Sequence, residues 1–563
     1  MKKVLVVFIL LLSVVIFSSG GTKINFPLGE RGDLYRDFYS SNGMVSSAKP
    51  GASEVGVEIL KNGGNAVDAA IAVAFAIGVL EPNASGLGGG GFMIIHSAET
   101  GENVVIDFRE IAPAAATANM YEKYMDNFYS AYFNPISSGV PGELAGLNTA
   151  LEMFGTMSLS EVIAPSVKLL EKGIPVTDNL SGLINSMYDA IAQYPESLEL
   201  WCDEDGLPYA TGDVIYNNNL KKSLELISEN GIDIFYNGEI GEALVSAAQN
   251  YGGIITMDDL RSYEVKIRKP VYGNYRGYDV ISVPPASSGG TIVIEILNIL
   301  ENFDFSNVEY GSAEYYHIFG EAMKLAYADR SKYMADTDFS TVPLEGLTSK
   351  EYALKRFSEI DMTKSNNDPL PGDPFKYESG NTTSFSVMDS EGNAVTVTKS
   401  NNFHFGCGLT IPGYGFVLNN HMLDFVPVPG SENSIEPGKR PLSSMSPTIV
   451  MKGNKPFLTL GSPGGTKIIS AVVSGITNVI DYGMSLQEAI LAPRVCNQNN
   501  ASLMLEARVS ENVIKELEAM GHEIRLMADY DPSMGSIQAV QFLPNNQLHG
   551  GADPRRDGQS FGF

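Results

Sequence analysis

Hydrophobic positions along the chain change their period about two thirds of the way through. In the first part they recur at helical spacing. The run AAIAVAFAIGVL, from Ala69 to Leu80, is apolar on all sides and predicts a buried helix. Asn65 supplies its N-cap, and Asp68, three residues on, places an acid in its first turn. From about Gly43 to Gly91 the pattern reads as helix, helix and then GLGGGGFMII, a glycine loop feeding a strand, with VVIDF (104–108) as the next strand. A mostly helical middle follows. It includes SLSEVIAPSVKLLEKG and EYYHIFGEAMKLAYADRSKYMAD, apolar at helical spacing with charges between, and both are expected to be scaffold.

The polar, proline-bearing stretch TKSNNDPLPGDPFKYESGN, from Thr363 to Asn381, predicts an exposed linker. Beyond it the period becomes two. Phe385 and Val387 alternate with Ser384 and Ser386, DSEGN turns, and Val395 and Val397 alternate with Thr396 and Thr398, which predicts a hairpin. TIVM, a KGNK turn and PFLTLG predict a second hairpin, followed by Ser462-Pro463-Gly464-Gly465 and an apolar helix beginning near Thr466. A strand that runs into a Gly-Gly turn at a helix start leaves backbone N–H groups pointing outward. Such a turn suits an anion or oxyanion, although it also occurs with no ligand.

Composition narrows the options. At 563 residues with 44% hydrophobic content the chain can bury a large core. A formal charge of −28 with no basic run argues against nucleic acid as a partner. Lys2 and Lys3, the apolar run Val4 to Phe17 and the small residues Ser18 to Gly21 have the order of a secretory signal. The run is shorter than the roughly 20 residues of a membrane span. Residues 1–21 are therefore expected to be a signal peptide and the protein to be secreted, periplasmic or at the cell surface, without a stable membrane span. Cys202, Cys407 and Cys496 are odd in number and widely spaced, which implies no disulfide framework, and Cys407 reads as a small buried hydrophobe. The six histidines show no metal-ligand spacing, so no metal is expected. Gly86, Gly88 and Gly91 fit GxGxxG by spacing, but the run before the loop is helical and the segment after it strand-like, the reverse of a dinucleotide site. Close backbone packing is the better reading of those glycines.

Thr382 heads a strand directly after the linker. A break between Asn381 and Thr382 would give one residue both a hydroxyl nucleophile and an α-amine, with a pKa near ~7.7–8.0, able to act as its base. On the motif alone, Thr382 and Thr383 are better read as ordinary strand-edge threonines.

Resemblance to a family supplies the rest. In order along the chain, NGGNAVDAA, EPNASGLGGGGFM, VIDFREIAPAAA, GVPGELAGL, YNGEIGEALV, PPASSGGT, EAMKLAYADRSKY, NTTSFSVMDSEGNAVTVT, FVLNNHMLDF, KRPLSSMSPTIV, GSPGGTKII and ADPRRDG resemble the γ-glutamyltransferase (γ-glutamyltranspeptidase, or glutathione hydrolase) family of N-terminal-nucleophile hydrolases. The resemblance implies an α+β fold, a four-layer αββα sandwich, made as one precursor that cleaves itself into intertwined large (22–381) and small (382–563) subunits forming a single domain. It implies Thr382 as nucleophile, Gly464 and Gly465 as oxyanion hole, and Arg109, Ser443 and Ser444 as the clasp for a substrate α-carboxylate. Asp424 and Asn402 would hold the α-ammonium. Two residues depart from the family pattern: His421 stands where Gln or Glu is expected near the ammonium, and Ser400 where a Thr bonds the nucleophile during self-cleavage. A protonated His421 would repel the ligand and weaken glutamyl binding in acid.

Implied partners are γ-glutamyl donors such as glutathione, amino-acid or peptide acceptors, and the precursor's own second subunit. No cofactor is implied. The segment VPVPGSENSIEPG, between Phe425 and Lys439, is shorter than the one that carries a lid in many relatives. That leaves poly-γ-glutamate depolymerase or amide acylase as alternative activities, and an unprocessed γ-glutamyl-binding protein as a third reading.

Overall fold

Both expected hairpins form, and each lies within a seven-stranded antiparallel sheet. The computed structural model describes residues 34–370, 381–498 and 502–563, with the backbone alone at Asn381 and Thr382. The expected signal segment and most of the expected linker's second half lie outside the described residues. In the first sheet the strand order is Gln559–Gly562, Gly43–Ser47, Asn381–Asp389, Ala394–Asn402, Gly90–His96, Asn103–Asp107 and Lys266–Arg268. In the second it is Phe38–Ser40, Leu548–Ala552, Gln538–Phe542, Lys455–Gly461, Thr448–Lys452, Tyr278–Ser282 and Val271–Tyr275.

The sheets pack face to face with helices on both outer surfaces, giving four layers in the order αββα. Helices Pro50–Lys61 and Ala66–Leu80 cover the first sheet, and Gly289–Leu300 and Lys467–Ile480 cover the second. Three cores follow from this layering. One joins the first sheet to its helices through Phe385, Val387, Val395 and Val397, and a second joins the other sheet to its helices through Val450, Leu458 and Leu460. Between the sheets lie Met44, Phe92, Ile94, Ile281, Ile449 and Val540. The alternation of the first hairpin therefore sends Phe385 and Val387 toward the helices and Ser384 and Ser386 toward the second sheet, where Ser386 Oγ donates to the Gln538 carbonyl at 3.0 Å.

Local signals account for several boundaries. Asn65 Oδ1 accepts from the Val67 and Asp68 N–H groups, and Asp68 answers the Asn65 N–H, closing a capping box at the start of Ala66–Leu80. The glycine loop after that helix is a close-packing device. A Cβ at Gly88 would stand 2.1 Å from the Val417 carbonyl oxygen, and one at Gly91 would stand 2.4 Å from that of Thr398. Two regions differ from the sequence expectation. Gly43–Ser47 is a fully buried strand, because it pairs on both edges, with Asn381–Asp389 and Gln559–Gly562. Among the described residues the largely helical middle also contains five short strands, Ile174–Pro175, Val214–Ile215, Lys266–Arg268, Val271–Tyr275 and Tyr278–Ser282, each too short to show a firm period. Among the described residues no helix is long and apolar enough to cross a membrane.

Candidate active site

One cleft is lined by Arg109, Asn402, His421, Asp424, Ser443, Ser444 and Gly465, together with Thr466 and Ile468. Seven of the residues expected from the sequence thus meet at one place although they come from five separate segments. Arg109 follows the Asn103–Asp107 strand and is fully buried. Its N–H donates to Asp107 Oδ1 at 3.0 Å and its Nε to the Pro441 carbonyl at 3.2 Å, so the guanidinium is fixed in direction. Nη2 donates to Asp424 Oδ2, and Nη1 lies 3.5 Å from Glu110 Oε2. The cation expected to hold a carboxylate and the anion expected to hold an ammonium are paired with each other.

Asp424 ends a short 3-10 turn, His421–Asp424, whose carbonyl end is held by Asn433 Nδ2 at 2.7 Å. His421 Nδ1 stands 2.8 Å from Glu110 Oε1, although neither atom meets its partner at hydrogen-bonding angles. Burial raises the Glu110 pKa to about 8, against the lowering influence of Arg109. Burial first, and then the Arg109 charge, hold His421 well below the usual imidazole value. His421 therefore stays neutral in mild acid, and the group of this pair that titrates near neutrality is Glu110. The direction of this shift runs against the expectation that a protonated His421 would weaken glutamyl binding in mild acid.

The other end of the cleft is built from backbone. Across the first hairpin Asn381 pairs with Asn402, with an irregularity in register between Asn381 and Thr383, so the expected cleavage point lies beside a cleft-lining residue. Asn402 has φ 76°, a conformation in which Asn is among the better tolerated residues, and its N–H donates to Ser400 Oγ at 2.7 Å. Ser400 itself is buried and does not line the cleft. After the Lys455–Gly461 strand, Gly464 (φ 132°) and Gly465 (φ 59°) form the turn into helix Lys467–Ile480, a path open to glycine. Their carbonyls accept from Lys467 and Ile468, whereas among the described residues neither glycine N–H donates to a protein acceptor. Two backbone donors at a helix start, beside a cleft, can receive a developing oxyanion. Gly464 adjoins the cleft through Gly465 without lining it.

Two buried groups escaped the sequence reading. Glu110 stood in the quoted segment FREIAP beside Arg109, where a second charge next to a binding arginine was the available signal. Arg330 was read as scaffold, yet its Nη2 donates to Ser444 Oγ at 2.9 Å. The three cysteines are free and buried, and burial pushes the Cys407 thiol up to about 11, in keeping with a packing role. Among the described residues one group, His317, Glu321 and His522, has the proximity of metal ligands. Both Glu321 oxygens are already engaged, Oε1 by Lys324 Nζ at 2.7 Å and Oε2 by the Asn366 N–H at 3.1 Å.

Comparisons with known proteins show the family. A family model described as Gamma-glutamyltranspeptidase matches residues 52–563. The chain is 43% identical over 542 residues to a glutathione hydrolase proenzyme of Escherichia coli (strain K12), covering 94% of this chain and 93% of that one. Its structure is similar to the crystal structure of cephalosporin acylase from Bacillus halodurans, with a TM-score of 0.85 and 30% identity, over 96% of this chain and 99% of that one. It is also similar to the crystal structure of Helicobacter pylori gamma-glutamyltranspeptidase, with a TM-score of 0.54 and 44% identity, over 55% of this chain and 90% of that one.

Proposed function

Because this chain belongs to the γ-glutamyltranspeptidase family, matched by its family model over residues 52–563, we propose that it is a γ-glutamyl hydrolase and transferase whose nucleophile, Thr382, is freed when the bond after Asn381 is cut. The observation that carries the reading is the Arg109–Asp424 pair, in a cleft that also contains Asn402, the cross-strand partner of Asn381. An amino-acid zwitterion can replace that internal pair with two external ones. The α-carboxylate takes Arg109, Ser443 and Ser444, while the α-ammonium takes Asp424 and Asn402. Both ends are then anchored, and the side-chain amide extends toward the start of the hairpin.

The Thr382 hydroxyl attacks the γ-amide carbon as its proton passes to its own α-amine, and the carbonyl oxygen becomes an oxyanion on the Gly464 and Gly465 N–H groups. The C–N bond breaks as the proton moves to the leaving amine, cysteinylglycine when the donor is glutathione. Water, or the amine of an amino-acid or peptide acceptor, then attacks the acyl-threonine and frees the hydroxyl. The large subunit ends at Asn381 and the small one begins at Thr382. Each sheet contains strands from both halves, paired with one another, so the two pieces remain interlocked after cleavage. The amino-terminal segment 1–21 acts as an export signal, placing the mature protein outside the cytoplasm.

Intact mass under denaturing conditions, before and after incubation with γ-glutamyl-p-nitroanilide, tests this reading. Two fragments divided between Asn381 and Thr382, the smaller gaining one glutamyl group on rapid quench, are expected. A chain that remains whole while binding ligand would replace an enzyme with a γ-glutamyl-binding protein.

A second reading, poly-γ-glutamate depolymerase or amide acylase, is favoured by the segment between Phe425 and Lys439. It folds back on itself through Ser434 Oγ to the Val428 carbonyl (2.8 Å) and Lys439 Nζ to the Glu432 carbonyl (2.8 Å). A short, self-bonded loop leaves room for larger acyl groups. Comparing turnover of glutathione, poly-γ-glutamate and a glutaryl amide separates the two.

A further inference from the structure

The clasp for the α-carboxylate has a second arginine behind it. Arg330 lies in helix Ala313–Tyr333 and is 4% exposed. Its fork reaches one cleft serine and a serine behind the other. Nη2 donates to Ser444 Oγ at 2.9 Å, and Nε donates to Ser288 Oγ at 2.8 Å. Ser288 passes the contact on, because its hydroxyl donates to the Ser443 carbonyl at 2.6 Å and its N–H to the same carbonyl at 2.8 Å.

Direction of donation matters here. A guanidinium has only donors, so Ser444 Oγ must accept from Arg330, and its own proton has to be donated elsewhere. Ser443 Oγ likewise accepts from the Met445 N–H at 3.1 Å. Neither bond uses the hydroxyl proton, so both hydroxyls keep it to donate, which is the role an incoming carboxylate requires. A permanent positive charge one side chain behind the pair adds to their preference for an anion in a site shielded from water. One turn earlier on the same helix face, Tyr327 donates to the Thr466 carbonyl, beside Gly465. The face that orients the serines thus also braces the turn expected to hold the oxyanion.

We infer that Arg330 is a positioning residue for substrate recognition, holding the Ser444 hydroxyl directly, with its proton left to donate to the α-carboxylate of the donor substrate, and fixing the Ser443 backbone through Ser288. The inference rests on the reading of those serines given under Proposed function. Lysine cannot replace the fork fully, since one ammonium does not reproduce the planar two-point contact with Ser288 and Ser444.

The test uses the processed protein and two inhibitors that differ by one group: L-glutamate, and 4-aminobutyrate, which lacks the α-carboxylate. Arg330→Met is expected to raise the inhibition constant of L-glutamate, and the KM of γ-glutamyl-p-nitroanilide, by roughly ten- to a hundredfold, the usual worth of a hydrogen bond to a charged group. Inhibition by 4-aminobutyrate and kcat should change little, Arg330→Lys should recover part of the loss, and Ser444→Ala added to Arg330→Met should cost less than it does alone. Equal weakening of both inhibitors by Arg330→Met would overturn the inference, and so would unchanged L-glutamate binding in a background where Ser444→Ala weakens it. If Ser444→Ala itself leaves L-glutamate binding unchanged, the carboxylate assignment of the serines fails instead. Should Arg330→Met not mature, Arg330→Lys decides by the same comparison: selective weakening of L-glutamate sustains the inference and equal weakening overturns it.

Discussion

The two ends of the cleft are made of different materials. At the recognition end, Arg109, Glu110, His421 and Asp424 crowd four ionisable groups into a largely buried space, each within reach of another. At the end proposed for the chemistry there is backbone: the first residues of a strand and two glycines in the turn before a helix start. The contrast follows from what each end would do under the proposed function. Recognising a zwitterion needs fixed charge of both signs, and fixed charge is cheap to keep buried only when it is paired. Stabilising a charge that appears for an instant needs donors already aimed and free of counter-ions, which a glycine turn provides.

Substitutions at the two ends should therefore separate in their effects. Thr382→Ala is expected to abolish both self-cleavage and turnover, leaving a single chain by mass; full cleavage in this variant would remove Thr382 as nucleophile. Next in size, Gly465→Ala puts a side chain where φ is 59° and should turn its N–H away, lowering kcat by roughly 10²- to 10³-fold, with little change in KM. Arg109→Ala should do the reverse. Cleavage stays complete on a denaturing gel, kcat is modestly affected, and KM for γ-glutamyl-p-nitroanilide rises on the order of a hundredfold, because Asp424 and Glu110 lose their shared partner. A KM effect from Gly465→Ala equal to that of Arg109→Ala would dissolve the distinction.

Sequence made one end more legible than the other. Strand alternation around Ser384–Val387, the glycine pair and the capping box at Asn65 are local patterns, and each appears in the structure close to where the pattern puts it. Arg109, Asp424 and Ser444 could be named from the family resemblance, but their electrostatics could not, because pairing depends on what long-range folding brings together. Glu110 next to Arg109 looked like an ordinary charged neighbour until His421, over three hundred residues on, arrived against it. Arg330 sat among helical charges that normally face water, and only tertiary packing shows it turned inward. The strands at 266–282 were missed for the converse reason. They are too short for a period to emerge, and their identity comes from neighbouring strands supplied by distant sequence.

The smallest expected effect lies within the recognition end and concerns stability rather than turnover. Glu110, with its pKa raised to about 8 from an ordinary 4.5, keeps its proton in the folded protein at pH values where the unfolded chain has released it. Between those values the folded state binds more protons, so this group makes stability fall as pH rises from about 4.5 to about 8, and adds nothing further above that. His421 acts in the opposite direction. Its pKa is held well below 6.5, the unfolded chain takes up a proton first, and its contribution falls as pH drops below 6.5. Glu110→Gln should flatten the decline between pH 5 and 8, by at most about 1.4 kcal/mol per pH unit, while leaving the acid side in place. His421→Gln should flatten the acid side only. Urea midpoints of the processed protein across pH 4.5 to 9 check both. The difference from the parent isolates each group, since other buried acids, Glu295 among them, add slopes common to all three proteins. A parallel shift of the whole curve by Glu110→Gln would mean that its proton is not retained on folding, and the recognition end would then hold two carboxylates, Glu110 and Asp424, beside Arg109.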